Sequence, residues 1–131
     1  LAKRHPDLVL ATAAKWAQAR DANIRRAASE GLRGVVQREP ERVRPILEQL
    51  REDSNLYVKK SVANVLRNAT RTQAAFVIGL CTEWALSTNP HTRWIVRDGL
   101  RKMKTVRPVD AARILSHLSR DRDDEMFTAQ S

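Results

Sequence analysis

The chain has 131 residues, with 24 Lys or Arg against 15 Asp or Glu and a formal net charge of +9. Its length is that of one domain, and 42% hydrophobic with 30% charged residues is a globular rather than a disordered composition. No apolar run reaches the roughly 18 residues of a membrane helix, and a single cysteine, Cys81, excludes an internal disulfide framework.

Pro6-Asp7 opens the first element. Proline suits the first helical turn because its missing N–H has no partner there, and an acid suits the positive end of the helix dipole. A first A helix is expected over 6–19. Asp21 is a good N-cap for a first B helix over 22–37. On it Ile24, Ala28, Gly31, Leu32 and Val35 share an apolar stripe at about 100° per residue. Arg26, Glu30 and Arg33 share the opposite stripe, and Arg25 flanks it.

The same two elements then recur. Pro40-Glu41 opens a second A helix over 40–52, and Asn55 caps a second B helix over 55–70. A third A helix follows over 73–87, and Asn89-Pro90 starts a third B helix over 90–105. Pro108 opens a last A helix over 108–119. The step is 34 residues throughout. Leu32-Arg33, Leu66-Arg67 and Leu100-Arg101 are spaced by it. So are the caps Asp21, Asn55 and Asn89, and the A-helix positions Trp16, Leu50, Trp84 and Leu118. Trp16 and Trp84 are therefore expected in the core, and Cys81 is expected as a small buried hydrophobe. One helix pair cannot bury its own stripe, so such units stack into a solenoid. The expected architecture is all-α, about seven antiparallel helices in three and a half repeats. It forms one domain over 1–119, with a charged tail over 120–131 expected to be disordered.

Stacking the B helices turns their polar stripes into ladders. One is Arg26, Lys60 and Trp94. The next is Glu30, Asn64 and Asp98. The third is Arg33, Arg67 and Arg101. Arg25, Lys59 and Arg93 flank them, and Arg97 lies on the same helix as Trp94. Like charge recurring at one repeat position suits a row of phosphates. The partner expected from charge is a polyanion, nucleic acid first. A solvated helix face, or a scaffold groove for an acidic protein, is the competing reading. His5, His91 and His117 are scattered, so no metal site is expected, and no Gly-rich phosphate loop is present. Leu1 is not Met and no leader follows it, so the sequence is expected to be a piece of a longer intracellular protein.

Three segments carry a family resemblance. His5-Pro6-Asp7-Leu8 with Lys15-Trp16 is the first. Ile24-Arg25-Arg26-Ala27-Ala28-Ser29-Glu30-Gly31 is the second. The third comprises Tyr57-Val58-Lys59-Lys60-Ser61-Val62-Ala63-Asn64 and Thr92-Arg93-Trp94-Ile95-Val96-Arg97. Together they resemble the AlkC/AlkD family of HEAT-like DNA alkylation repair glycosylases over residues 5–104. The resemblance implies a HEAT-like α-solenoid that binds alkylated double-stranded DNA and hydrolyses the glycosidic bond of N3- or N7-alkylpurines without a metal or organic cofactor. It implies a monomer in the bacterial cytoplasm, on the nucleoid when bound.

Position by position, the resemblance makes Glu30 the catalytic candidate and Asp98 a weaker one. The DNA-binding set is Arg25, Arg26, Arg33, Lys59, Lys60, Asn64, Arg67, Arg93, Trp94, Arg97 and Arg101. The chain departs from the pattern at three places. The AlkC-like pattern often has His at the position of Asp98. AlkD-like members have an aromatic near the Asn64 position. They also take an acid and an aromatic from a helix that would precede residue 1. A DNA-binding solenoid without catalysis is therefore a further alternative.

Overall fold

The computed structural model describes residues 5–118, and every regular element among them is helical. Helices α1 (His5–Trp16), α4 (Pro40–Leu50) and α6 (Ala74–Trp84) are the A helices. A further one, α9, runs over 108–118. The B helices are α2 (Ala22–Glu30) with α3 (Arg33–Arg38), the single α5 (Leu56–Ala69), and α7 (Pro90–Gly99) with α8 (Met103–Val106). The expected tail over 120–131 lies outside the described residues.

The caps act as the sequence predicts. The Asp21 carboxylate accepts from the N–H of Asn23 at 2.8 Å. Asn55 accepts from Tyr57 and Val58 at 2.9 and 3.2 Å, and Asn89 from His91 and Thr92 at 2.9 and 3.2 Å. Each bond satisfies an N–H that the first turn leaves unpaired. The A helices start differently: Pro40 opens α4, and neither Glu39 nor Gln73 makes a side-chain cap bond.

The core runs along the stack between A and B helices, with α5 at its centre, packed on both α2 and α7. Val58, Val62, Val65, Leu66 and Ala69 of α5 are fully buried. Trp84 is buried too, and its indole N–H donates to Glu48 at 3.1 Å. Cys81 is a buried apolar residue, and burial pushes its thiol pKa up to about 12, because a thiolate there would lose its hydration.

Three expectations need correction. Two of the three B helices are not continuous: the first breaks at residues 31–32 and the third at 100–102. The positions Gly31, Val65 and Gly99 are 34 apart, and only the repeat carrying valine keeps an unbroken helix. Glycine in a helix interior costs about 1 kcal/mol relative to alanine, which makes it the natural place for the break.

The repeat pattern places Trp16 and Ile24 in the core, but they are 42% and 40% exposed. Their register equivalents Leu50, Trp84, Val58 and Thr92 are buried. The reason is the direction of stacking. Each of those positions is covered by the repeat before it, and among the described residues nothing lies on the outer side of α1 and α2. Two adjoining hollows of ≈ 520 and ≈ 290 Å³ mark that bare face, and they share Val9 and Gly31.

Candidate nucleic-acid interface

The parallel arrangement of α2, α5 and α7 places the three expected ladders on one open face. The cations and acids on it are joined to one another. The Arg26 guanidinium donates to Glu30 at 3.0 Å, one turn away, and Arg33 stands 3.9 Å from the same oxygen. Across the next seam Arg67 donates to the Asp98 carboxylate at 2.6 Å and to the Asp98 carbonyl at 3.2 Å. It also reaches the Asn64 side-chain oxygen at 3.4 Å. Arg101 closes on Asp98 from the other side at 2.9 Å. The middle ladder is therefore a line of acceptors that fixes the guanidinium groups beside it.

A shallow cleft of ≈ 240 Å³ opens between α2 and α5, lined by Arg26, Glu30, Tyr57, Lys60, Ser61, Asn64 and Arg67. It brings together five of the residues singled out from sequence: Arg26, Glu30, Lys60, Asn64 and Arg67. Glu30 keeps 37% of its side chain exposed there. Asp98 does not line the cleft; its side chain is 19% exposed and held between two arginines.

Two cleft residues, Tyr57 and Ser61, are not among the candidates singled out from sequence, and Tyr57 is the aromatic one. It is 60% exposed. Its ring lies between the Arg26 guanidinium, 6.0 Å from the centroid, and the Lys60 ammonium at 5.8 Å. Such cation–π contacts hold a ring upright at little cost. The signal in the sequence was its place just after the Asn55 cap and three residues before Lys60, a spacing that puts both on one side of the helix.

The flanking row departs from the open face. Arg25 donates to both Asp53 oxygens at 2.7 and 3.3 Å and to the carbonyls of Ala19 and Arg20. The hydrogen bond it gives to Asp53 raises its pKa further. Arg93 is only 4% exposed and gives a 2.7 Å bond to the Leu118 carbonyl. Both tie neighbouring repeats together, which a long planar donor does well. Lys59 donates to Nδ1 of His91 at 3.1 Å and sits 5.3 Å above the Trp94 ring. Trp94 is half-buried against the core, and Arg97 is half-buried.

The opposite side, built by the A helices, holds most of the acids. Asp7 and Glu39 pair with Arg42, Glu41 and Glu83 with Arg44, and Asp110 with Arg113. The hydrogen bond from Arg44 holds the Glu41 carboxyl below its usual range. The net charge is thus spread unevenly, with the B side positive. Among the described residues no three His, Cys, Asp or Glu side chains gather to hold a metal. No described helix is long and apolar enough to cross a membrane.

The family model for the DNA alkylation repair enzyme matches residues 1–103. The chain belongs to that family. A solved structure of the Pseudomonas fluorescens alkylpurine DNA glycosylase AlkC, bound to DNA containing an abasic site analog, is similar at 42% identity and a TM-score of 0.66. The match covers 72% of this chain and 28% of that one. An uncharacterized protein of Bacillus subtilis strain 168, YhaZ, is 35% identical over 97 residues, or 67% of this chain and 27% of the relative. The chain therefore spans little more than a quarter of the length of these relatives. The helical solenoid expected from the 34-residue step agrees with the AlkC match.

Proposed function

We propose that the open face of α2, α5 and α7 binds duplex DNA bearing an N3- or N7-alkylated purine, and that Glu30 serves a glycosylase centre there. The observation that carries the reading is the cleft itself: an accessible carboxylate in a cationic wall, next to an exposed aromatic. The DNA-bound AlkC relative supports it. An alkylated purine already carries positive charge, so it leaves readily. The C1′–N bond breaks, its electron pair neutralises the departing base, and water adds to C1′ with release of a proton. The sugar becomes cationic on the way, and a fixed carboxylate close to it lowers the energy of that state. Arg26 and Arg33 hold Glu30 in place, and Lys60 and Arg67 supply charge for the phosphates beside it. The proposal includes a monomer working in the bacterial cytoplasm.

Release of 7-methylguanine or 3-methyladenine from methylated duplex tests the catalytic part. Glu30→Gln removes the charge and keeps the shape. It should lower release by roughly a hundredfold or more, the scale of losing one electrostatic stabiliser, and leave duplex affinity within about twofold. Normal release by the variant would overturn the assignment of Glu30.

A second reading has its own observation. The same Arg26 bond at 3.0 Å can be a plain ion pair on an exposed helix, and the face then binds DNA without cutting it. Salt-sensitive duplex binding with no base release from the unaltered protein would favour that module.

A further inference from the structure

Most of the cations that the sequence pattern selects are held by partners within the fold. A second set is not. Arg38, Arg71, Lys102, Lys104 and Arg107 are all exposed. None has a carboxylate partner among the described residues. All five lie where a B helix ends and the next A helix begins. Arg38 closes α3, Arg71 follows α5, and the other three surround α8. The first two of these ends are neighbours, and α7 packs on α5 as α2 does. Gln37 donates to the Asn68 carbonyl at 2.5 Å, and Gln73 donates back to the Gln37 carbonyl at 2.9 Å, so the first two turns are stitched together. Two acids of this rim are taken: Glu39 by Arg42 and Asp110 by Arg113. Lys15 and Arg20, also exposed and without a carboxylate or ring partner among the described residues, lie apart from the rim on α1 and in the turn after it.

The helix dipole accounts for part of this. A cation in the last turn of a helix is favourable by up to about 1 kcal/mol, which covers Arg38 and Lys104. Arg71, Lys102 and Arg107 lie outside the helices and gain little from it. An acidic protein partner is a poor match, because protein interfaces have an apolar or aromatic centre. Of the large exposed hydrophobic side chains among the described residues, only Val109 adjoins this rim.

We propose that this rim, formed by the B-to-A turns, is a second nucleic-acid contact that follows the sugar–phosphate backbone beside the open face. The proposal rests on the DNA-binding reading of that face. Three helix ends at a packing distance of about 8–10 Å make a row about 20 Å long, over which one strand of a duplex presents about six phosphates. Five cations without a carboxylate partner among the described residues match that number in order of magnitude. The contact carries no sequence information: it sets register and affinity, and leaves recognition to the cleft.

The test is fluorescence anisotropy with an undamaged duplex over a salt series. It compares the unaltered protein with Arg38→Ala/Arg71→Ala/Lys104→Ala/Arg107→Ala, its fold checked by circular dichroism. The slope of log affinity against log salt should become shallower by about 0.9 for each lost contact, so by roughly 3 to 4 in all, with affinity at 0.1 M salt at least about tenfold weaker. If the combined variant fails to fold, each single substitution should still lower the slope by about 0.9. Unchanged slope and affinity, with the unaltered protein binding well, would overturn the rim and leave the open-face reading standing. No duplex binding by the unaltered protein even at low salt would sink both. Displacement of the duplex by polyglutamate at equal charge would assign the rim to an acidic protein and overturn the proposal.

Discussion

Ser29 sits on the buried side of α2, and its hydroxyl has no hydrogen-bond partner among the described residues. A buried hydroxyl without a partner costs about 1–3 kcal/mol. The equivalent residue one repeat later is Ala63, also fully buried, so the repeat accepts a methyl group at this position. Ser29→Ala should therefore stabilise the fold by about 1 kcal/mol, seen as a higher urea midpoint at unchanged slope. A lower midpoint would mean that the hydroxyl has a partner in solution. Sequence alone does not show this strain, because serine in a helix is ordinary. The acidic rung shows the same limit. Glu30 and Asp98 were legible as carboxylates at one repeat position. Their different fates, one open in a cleft and one clamped by Arg67 and Arg101, depend on which side chain crosses the seam. Periodicity fixes where a Cβ lies, and it leaves the reach of a long side chain open.

At the scale of the helix, the two glycine breaks look alike in sequence and differ in cause. A Cβ built on Gly99 would meet Leu66 Cδ1 at 2.9 Å and Leu66 Cβ at 3.3 Å. Glycine there lets α7 close on α5. A Cβ on Gly31 would meet nothing nearer than the Ala27 and Ala28 carbonyls of its own turn at 3.5 and 3.7 Å, with Val9 Cγ1 at 3.8 Å. Its backbone is right-handed helical, with φ −65° and ψ −16°, so any residue fits. The same substitution should thus act with opposite sign. Gly31→Ala should stabilise by about 0.5–1 kcal/mol through a stiffer unfolded chain and better helix propensity. Gly99→Ala should destabilise by about 1–3 kcal/mol, the range for overpacking a core. Thermal melts of the two variants decide it, and equal shifts would remove the distinction. The elements themselves were readable because caps, prolines and apolar stripes are local. The breaks were not, since a helix former on each side hides a single weak residue between them.

The whole molecule is a one-dimensional stack, and its ends differ from its middle. In such a stack, stability is the sum of repeat terms and of interfaces with neighbours. Helix α5 has both interfaces. Helix α1 packs inward on α2 and α4, while Leu8, Trp16 and the Val9–Gly31 hollows face outward with nothing described upon them. Repeat 1 must then open at a lower free energy than the centre. Native-state hydrogen exchange should give the greatest protection to α5 amides and clearly less to those of α1, with α7 nearer to α5. Uniform protection from α1 to α7 would mean that opening is global and that the bare face costs nothing. This gradient bears on function through the cleft. One wall of it is α2, which belongs to the less supported repeat, and the other is α5. Motion of α2 against α5 changes the distance between Glu30 and the Tyr57–Lys60 side. Anything that covers the outer face of α1 and α2 should raise protection in α2 and narrow the spread of Glu30 positions, and DNA held across both walls should do the same from the other side.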